Sequence, residues 1–398
     1  MPTLYIILAV ALVALIALVV FYLLQKKKQA RAAAASAEDA APGGDEISLL
    51  IREAETRLAG AKIEGARVST LPVYLLIGDS GCAKTCTMTH SGLEPELLAG
   101  QVYQAGNITS TRTANIWFSR RSVFLEAGGK LLSDTARWQR LVQKLQPRGS
   151  VVGKGEQAPR AVVVLFDCEN FTKPGAADQA VAAARTLRAR LGEICQAMGI
   201  NLPVYVLFSK MDRVPFFTDF VRNLSNEEAT QVLGITLPMI LKRNEGVYGE
   251  EETARLTGNF EWLFRSLADA RPEFLAREGD ASKLPAAYEF PREFRKIRAA
   301  AVQFMVDLCR PSQLSTGPFL RGFYFTGVRP VVINEAAPVA AAAPQQQGGY
   351  GSVSGATGIF SVGARPQPQA SAPTPAAVSR KVPQWLFLSH FFNDVLLA

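Results

Sequence analysis

A short, largely apolar segment that runs into a glycine-containing turn most constrains what this chain can fold into. Residues 73–77 form that segment, and Gly78, Gly81, Lys84 and Thr85 follow closely. This order is typical of a phosphate-binding loop, in which backbone N–H groups hold phosphate oxygens, the lysine spans the terminal phosphates and the hydroxyl binds magnesium. We therefore predict a P-loop-type α/β fold, with an ordinary βα turn as the alternative.

The loop departs from the usual G-x-x-x-x-G-K-[ST] pattern where Ala83 replaces the last glycine. Ala83 is expected to keep a negative φ, since glycine alone adopts positive φ freely. Cys82 lies inside the loop, where the start of a helix is expected to lower the pKa of its thiol. Its alternatives are a small filler of the loop and a redox-sensitive thiol. The residues predicted to contact a nucleotide here are Gly78, Gly81, Cys82, Ala83, Lys84 and Thr85.

The N-terminal segment predicts a membrane anchor. Residues 4–24 are continuously apolar, and as a helix they would span about 31 Å, which matches a bilayer core. The basic residues 26–28 and Arg31 follow directly, so the positive-inside bias places the bulk of the chain in the cytoplasm. We predict a single transmembrane helix with a basic flank over residues 1–28, and a flexible stalk over residues 29–44. The alternative is a cleaved signal peptide.

Charge and cysteine content exclude several function classes. The formal net charge of +8 owes much to the cluster beside the apolar segment, and no basic face with interleaved aromatic residues appears, so nucleic-acid binding is not predicted. The five cysteines show no C-x-x-C spacing and there are two histidines, which argues against a zinc site, a histidine triad or a disulfide framework.

Residues 45–335 alternate short apolar strands with helices, which predicts a doubly wound, mostly parallel sheet. Residues 161–166 and 203–208 are apolar without alternation, as expected for central parallel strands. Residues 115–118 and 122–125 predict a hairpin at the sheet edge. A helical insertion is expected over about residues 213–318, before a last strand at residues 322–326.

The C-terminal part divides in two. Residues 336–380 are dominated by Ala, Pro, Gln, Gly and Ser, and we predict a disordered linker. Residues 381–398 are strongly apolar and are predicted to form a helix that either folds back onto the domain or lies at the membrane surface.

Two further motifs follow predicted strands in the order that a GTPase-type site requires. Residues 126–129 fit D-x-x-G with glutamate first, so Glu126 would hold a magnesium-bound water and Gly129 would offer its N–H to the γ-phosphate. Thr111 lies where a switch loop would approach the metal. We predict Thr85 and Glu126 as the metal site, and Glu126 and Thr111 as the residues around the attacking water.

The second motif, residues 209–212, fits [NT]-K-x-D with serine first. The predicted base-binding residues are Ser209, Lys210 and Asp212, with the lysine stem over the base and the aspartate accepting hydrogen bonds from a guanine edge. Capping of the next helix is an equal alternative for Asp212.

Five segments together resemble the cytoplasmic region of the IcmF/TssM family: residues 71–78, 91–93, 117–118, 206–212 and 320–326. The resemblance covers about residues 71–330 and resumes at residues 385–397. It implies a cytoplasmic NTPase-like domain on an inner-membrane protein of bacteria, within a type VI secretion membrane complex that docks a tail baseplate. The implied partners are other membrane-complex subunits, baseplate proteins and further copies of the chain.

Ala83 and Glu126 depart from the family motifs, so nucleotide hydrolysis is left open. Family members usually carry two initial membrane helices, a third one and a periplasmic region, so we expect a fragment or a shortened member. Two hypotheses follow. The domain is a structural scaffold whose pocket is degenerate or only binds nucleotide, or it is a conformational switch that hydrolyses GTP or ATP with magnesium.

Overall fold

The computed structural model describes residues 44–60, 67–68, 70–101, 111–146, 160–238, 247–311, 316–335 and 378–397. Among these residues, no helix is both long and apolar enough to cross a bilayer. The predicted membrane helix and nearly all of the predicted stalk and linker lie outside the described residues.

Eight strands form the central sheet in the order β2-β3-β4-β1-β5-β6-β8-β7. Strands β4, β1, β5, β6 and β8 run parallel to one another, whereas β2, β3 and β7 add antiparallel pairs at the two ends. The predicted mostly parallel sheet is thus confirmed. The strands are β1 (Val73–Ile77), β2 (Glu96–Ala99), β3 (Ala114–Ser119), β4 (Ser122–Ala127), β5 (Ala161–Asp167), β6 (Leu202–Ser209), β7 (Leu233–Thr236) and β8 (Pro318–Phe325).

Ten α-helices lie among the described residues. They are α1 (Gly44–Gly60), α2 (Lys84–Thr89), α3 (Gly129–Ser133), α4 (Thr135–Lys144), α5 (Ala176–Met198), α6 (Phe217–Phe220), α7 (Asn226–Thr230), α8 (Tyr248–Ala276), α9 (Leu284–Lys296) and α10 (Arg298–Leu308). Short 3₁₀ turns follow β5 and β6, at Cys168–Phe171 and Met211–Arg213.

Two predictions about the sheet need correction. The β3–β4 hairpin exists, but it does not lie at the edge, because β4 pairs with β1 and the unpredicted strand β2 lies outside β3. The insertion between β6 and β8 is mostly helical, but it also contains β7, which pairs with β8. Both missed strands have four residues, and so short a segment shows no reliable period in the sequence.

The strands that position the site are buried on both faces. Residues 162–165 of β5 are at most 1% exposed, as expected for an apolar strand at the centre of a parallel sheet. Phe166, Phe208 and Phe304 pack together beneath the carboxyl end of β5 and β6. This packing supports the ends of the strands from which the candidate site residues project.

Local sequence patterns set the end of α7 and the buried face of α1. Ser225 and Glu228 form a capping box at the start of α7. The Ser225 hydroxyl accepts the Glu228 N–H at 3.1 Å, and the Glu228 carboxylate accepts the Ser225 N–H at 2.7 Å. The Arg277 guanidinium, which also bonds Glu228, is the main cause that lowers the pKa of this carboxyl to about 2. The apolar face of α1 packs onto its own domain, with Ile47 and Leu58 buried.

The C-terminal region differs from the predicted helix over residues 381–398. Strand β9 (Gly327–Glu335) pairs with β10 (Val378–Leu386) in a separate two-stranded sheet, and residues 330–335 and 378–384 belong to a second compact unit. Helical turns cover only residues 389–396. The prediction failed because strand pairing with a segment more than forty residues away overrides a local apolar run.

Residues 385–397 belong to the main unit and pack onto one face of its sheet. Phe391 contacts the rings of Tyr205 and Tyr324, and Phe392 contacts Phe124. The Phe387 N–H donates to the Ala229 carbonyl at 2.7 Å. We call residues 385–397 the C-terminal strap. Of the two predicted placements, folding back onto the domain describes the structure.

Candidate functional site

The candidate site lies at the carboxyl ends of the parallel strands. The chain leaves β1 between β4 on one side and β5 on the other, and such a reversal of strand order opens a crevice where doubly wound sheets bind ligands. Residues 78–84 follow β1, residues 126–129 follow or end β4, and residues 209–212 follow or end β6. The structure thus brings the three sequence motifs to one end of the sheet.

The backbone of the phosphate loop contradicts the expectation for Ala83. Ala83 has φ 66° and ψ 25°, in the left-handed region, immediately before α2. The loop must turn there to direct Lys84 inward, so the alanine adopts the conformation that glycine would adopt in the usual pattern. For an L-residue this conformation costs about 1–2 kcal/mol.

Replacing Ala83 with glycine should therefore stabilise the protein. We expect the free energy of unfolding to rise by about 1 kcal/mol, because relief of the left-handed strain exceeds the extra entropy of glycine in the unfolded chain. Urea unfolding of both proteins measures this difference. Ala127→Gly, a buried change in the adjacent strand, is the control and should destabilise. A loss of stability in Ala83→Gly would contradict the strain argument.

Lys84 is 6% exposed and lies within the loop. Its ammonium donates to the Gly78 carbonyl at 2.7 Å and to the Asp79 carbonyl at 2.8 Å. A third, weaker contact joins it to the Cys82 sulfur at 3.7 Å. The ammonium is therefore held by the loop itself, at the position from which a phosphate-binding lysine would act.

Cys82 also differs from its predicted behaviour. Its thiol is buried, and burial raises the pKa of Cys82, while the nearby Lys84 ammonium opposes that effect only in part. Desolvation of the thiolate outweighs any benefit from the start of α2. The expectation of a lowered pKa was wrong because the sequence does not show that the side chain points into the core.

Alkylation should report this burial directly. We expect Cys82 to react with iodoacetamide at least tenfold more slowly than Cys86, which is only partly buried, since the thiolate is the nucleophile and must be accessible. Because the pKa of each thiol is raised, both rates should still be increasing with pH above pH 9. Peptide mass spectrometry over a time course measures the two rates. Equal rates in the folded protein would contradict the buried position.

Glu126 is the centre of a buried hydrogen-bond network. Its carboxylate is 1% exposed and accepts four hydrogen bonds, two at each oxygen. One oxygen accepts the hydroxyls of Thr85 at 2.5 Å and Thr111 at 2.8 Å. The other accepts the side-chain N–H groups of Asn115 at 3.0 Å and Trp117 at 3.2 Å. The predicted trio of Thr85, Thr111 and Glu126 thus lies together, and Glu126 ties α2 to β3.

Sequence reasoning missed Asn115 and Trp117. Asn115 lies opposite Glu126 in the antiparallel β3–β4 register, and Trp117, two residues on, points to the same face of the sheet. A polar residue inside an otherwise apolar strand was the available signal, since a buried amide needs a partner.

The two threonine hydroxyls are better placed than the Glu126 carboxylate to bind a magnesium ion, because all four hydrogen bonds to that carboxylate come from protein groups. The Thr85 and Thr111 oxygens lie 3.4 Å apart, and each hydroxyl donates its proton to the carboxylate. The Thr111 oxygen also accepts the Asn115 side-chain N–H at 3.2 Å, which leaves it one lone pair for a metal ion. Magnesium usually combines few protein ligands with waters and phosphate oxygens. Thr85 and Thr111 would therefore hold the ion, with Glu126 behind them. Among the described residues, no cluster of three or more His, Cys, Asp or Glu side chains could hold a metal by itself.

The residues predicted to bind a base are partly engaged in internal contacts. The Ser209 hydroxyl donates to the Cys82 carbonyl at 3.0 Å, and the Lys210 ammonium pairs with Asp167 at 2.7 Å. Asp212 lies within a 3₁₀ turn and accepts the Val328 backbone N–H at 3.1 Å. Asp212 therefore joins two loops of the domain and does not cap the next helix.

Two cavities flank the loop. One, of about 290 Å³, is lined by Lys84, Thr85, Thr111, Glu126 and Gly129, among others. The second, of about 300 Å³, lies between the loop and the end of β5, and Asp79, Asp167, Glu169, Lys173 and Lys210 are among its lining residues. The fold and the motif residues at its carboxyl edge define a P-loop NTPase-like domain.

Comparison with known families identifies the family of the chain. Residues 133–398 match the model of the IcmF-related N-terminal domain, and this match covers well over half of the chain. The chain belongs to the IcmF-related family.

Among curated proteins, the chain is 28% identical over 293 residues to the type VI secretion system component TssM1 of Pseudomonas aeruginosa. The alignment covers 71% of this chain and 25% of that protein. The chain thus spans about a quarter of the length of this relative.

Parts of the chain are also similar to solved structures, including the following two. A signal recognition particle receptor SRβ-GTP/SRX complex from Chaetomium thermophilum is 21% identical, with a TM-score of 0.24, over 36% of this chain and 71% of that one. The Arl6 BBS3 small GTPase from Trypanosoma brucei is 17% identical, with a TM-score of 0.22, over 35% and 68%.

Proposed function

We propose that this chain is a membrane-anchored structural component of a type VI secretion membrane complex. Its P-loop domain lies on the cytoplasmic side of the bacterial inner membrane, held by a helix at residues 4–24, and docks the tail baseplate. The similarity to TssM1 over 71% of the chain carries this proposal. Other membrane-complex subunits, baseplate proteins and further copies of the chain are the proposed partners.

A structural role is favoured over turnover because the polar groups of the site are already paired with one another. The Lys84 ammonium bonds two loop carbonyls, the Glu126 carboxylate accepts four donors, and Asp212 accepts a backbone N–H. A hydrolytic cycle would have to break such bonds repeatedly, and each broken buried bond leaves a group without a partner, at about 1–3 kcal/mol.

The second candidate is a conformational switch that hydrolyses GTP or ATP with magnesium. The observation that favours it is the convergence of Lys84, Thr85, Thr111 and Glu126 around one cavity of about 290 Å³. In this candidate, Lys84 contacts the phosphates, Thr85 and Thr111 hold the ion, and Glu126 orients those hydroxyls.

Complementation separates the two candidates. A strain that lacks the gene should lose release of tail proteins into the medium, and the parent gene should restore it. We expect Lys84→Ala to restore release as well, together with Lys144→Ala, a lysine on α4 that lines neither cavity of the site. Immunoblots of washed membranes check that each variant is present at the parent level.

Loss of release in Lys84→Ala at parent protein levels would support the switch instead. Normal release in the strain that lacks the gene would contradict both candidates. Recovery of the chain in the soluble fraction would contradict the membrane anchor.

A further inference from the structure

The backbone of Gly129 lies directly against the third residue of the phosphate loop. A Cβ atom built on Gly129 would lie 2.2 Å from the Ser80 nitrogen and 2.4 Å from the Ser80 hydroxyl oxygen. These distances are far below van der Waals contact, so the two backbones leave no space between them for even a methyl group. Gly129 and Ser80 close one end of the cavity that they both line.

This closed end is where the terminal phosphate of a nucleoside triphosphate would lie. In P-loop domains with a D-x-x-G motif, the glycine N–H faces the γ-phosphate across from the loop. A phosphate oxygen needs about 2.8 Å to a donor on each side, so the two backbones would have to stand roughly 5–6 Å apart. The contact between Gly129 and Ser80 does not provide this space.

The space beside Gly81 is open, unlike the contact between Gly129 and Ser80. A Cβ atom built on Gly81 would meet no heavy atom within 4 Å, and Gly81 lines both cavities of the site. This part of the loop is open to a ligand, next to Lys84 and Thr85. The loop therefore has room for the α- and β-phosphates of a nucleotide, whereas the position of the γ-phosphate is closed.

The residues before and after Gly129 are both fixed by contacts with the rest of the domain. The Gly128 N–H donates to the Thr113 carbonyl at 2.9 Å, and Leu131 and Leu132 of α3 are each 2% exposed. On the far side, Arg190 of α5 donates to the Leu132 carbonyl at 2.7 Å.

Arg190 anchors the segment further. Its guanidinium also donates to the Thr135 hydroxyl at 2.8 Å, and Glu193 balances its charge at 2.8 Å. Arg190 is itself 9% exposed, so these hydrogen bonds are shielded from water. The shielding strengthens them, because the local dielectric constant is lower than that of water. Arg190 therefore holds the last turn of α3 and the start of α4, and moving Gly129 away from Ser80 would displace this short helix and strain those bonds.

We propose that the phosphate loop takes a nucleoside diphosphate in preference to a triphosphate, and that Arg190, a positioning residue, maintains this preference by holding α3 against the loop. The inference rests on the proposal that the loop binds nucleotide. It adds the class of ligand that the loop would take.

Calorimetric titration of the full chain in detergent micelles tests this preference. GDP, GTP, ADP and ATP are each titrated with and without magnesium, and we expect one diphosphate to bind at least tenfold more tightly than its triphosphate. Arg190→Gln should raise triphosphate affinity at least fivefold and leave diphosphate affinity unchanged. Arg188→Gln, two residues away on α5 and outside these contacts, is the matched control and should retain the preference.

Ser80→Gly provides a second route if Arg190→Gln fails to fold. The Ser80 nitrogen stays in place, but loss of the hydroxyl, 2.4 Å from the Cβ built on Gly129, frees part of the closed end, so the preference for the diphosphate over the triphosphate should become smaller. Equal or tighter triphosphate binding by the parent chain would overturn the inference, as would an undiminished preference in Ser80→Gly or in folded Arg190→Gln. Failure of every nucleotide to bind would overturn it too. The release assay with Lys84→Ala would still decide on the scaffold role by itself.

Discussion

Replacing Glu126 with glutamine will lower the free energy of unfolding by about 3 kcal/mol, because a buried acceptor of four hydrogen bonds loses its charge and half its acceptors. The amide group of glutamine must face either the hydroxyls of Thr85 and Thr111 or the N–H groups of Asn115 and Trp117. If the amide NH₂ faces Asn115 and Trp117, N–H donors face N–H donors. If it faces Thr85 and Thr111, both hydroxyls must turn so that their oxygens accept. Urea denaturation followed by fluorescence measures the loss.

The matched control is Glu96→Gln on β2, an exposed carboxylate of the same sheet, which should change stability by less than about 0.5 kcal/mol. Glu126→Asp adds a second comparison, because the shorter side chain cannot reach all four donors at once. We expect it to destabilise as well, by about 1–2 kcal/mol. A Glu126→Gln protein as stable as the parent would show that this network does not hold α2 against β3.

Replacing Phe391 with alanine will destabilise the domain by about 3–5 kcal/mol, the range for truncating a buried aromatic residue. Phe391 is fully buried and its ring lies 4.8 Å from that of Tyr324 and 5.2 Å from that of Phe392. The loss should appear as a lower midpoint in thermal unfolding of the full chain.

Asp394→Ala, in the same helical turns, is the control, since its exposed contact with His390 contributes little. If the C-terminal strap packs weakly, the two variants will unfold at the same temperature. Such a result would contradict the placement of the strap on the sheet face.

Local chemistry predicted much of the candidate site. The strand and loop at residues 73–85, the carboxylate at Glu126 and the motif at residues 209–212 each carry a pattern that is visible without a structure. Because the carboxyl ends of parallel strands meet at one edge, recognising the strands was enough to bring these motifs together.

The conformation and the partners of the same residues were not visible. The backbone of Ala83 adopts the left-handed conformation because the loop has to turn before Lys84. The pKa of Cys82 is raised because its side chain points into the core. The role of Asn115 depends on its register with Glu126 on the neighbouring strand. Each of these outcomes depends on atoms that are distant in the sequence.

By itself, the sequence determined the α/β class, the central parallel strands, the phosphate loop and the family, because apolar runs and motif spacing are local properties of the chain. Only the tertiary structure decided that β2 and β7 extend the sheet, that residues 378–386 form a strand, and that Gly129 closes against Ser80. The physical reason is the same in each case: strand pairing and backbone contact are satisfied by partners far along the chain, and their free energy outweighs local preference.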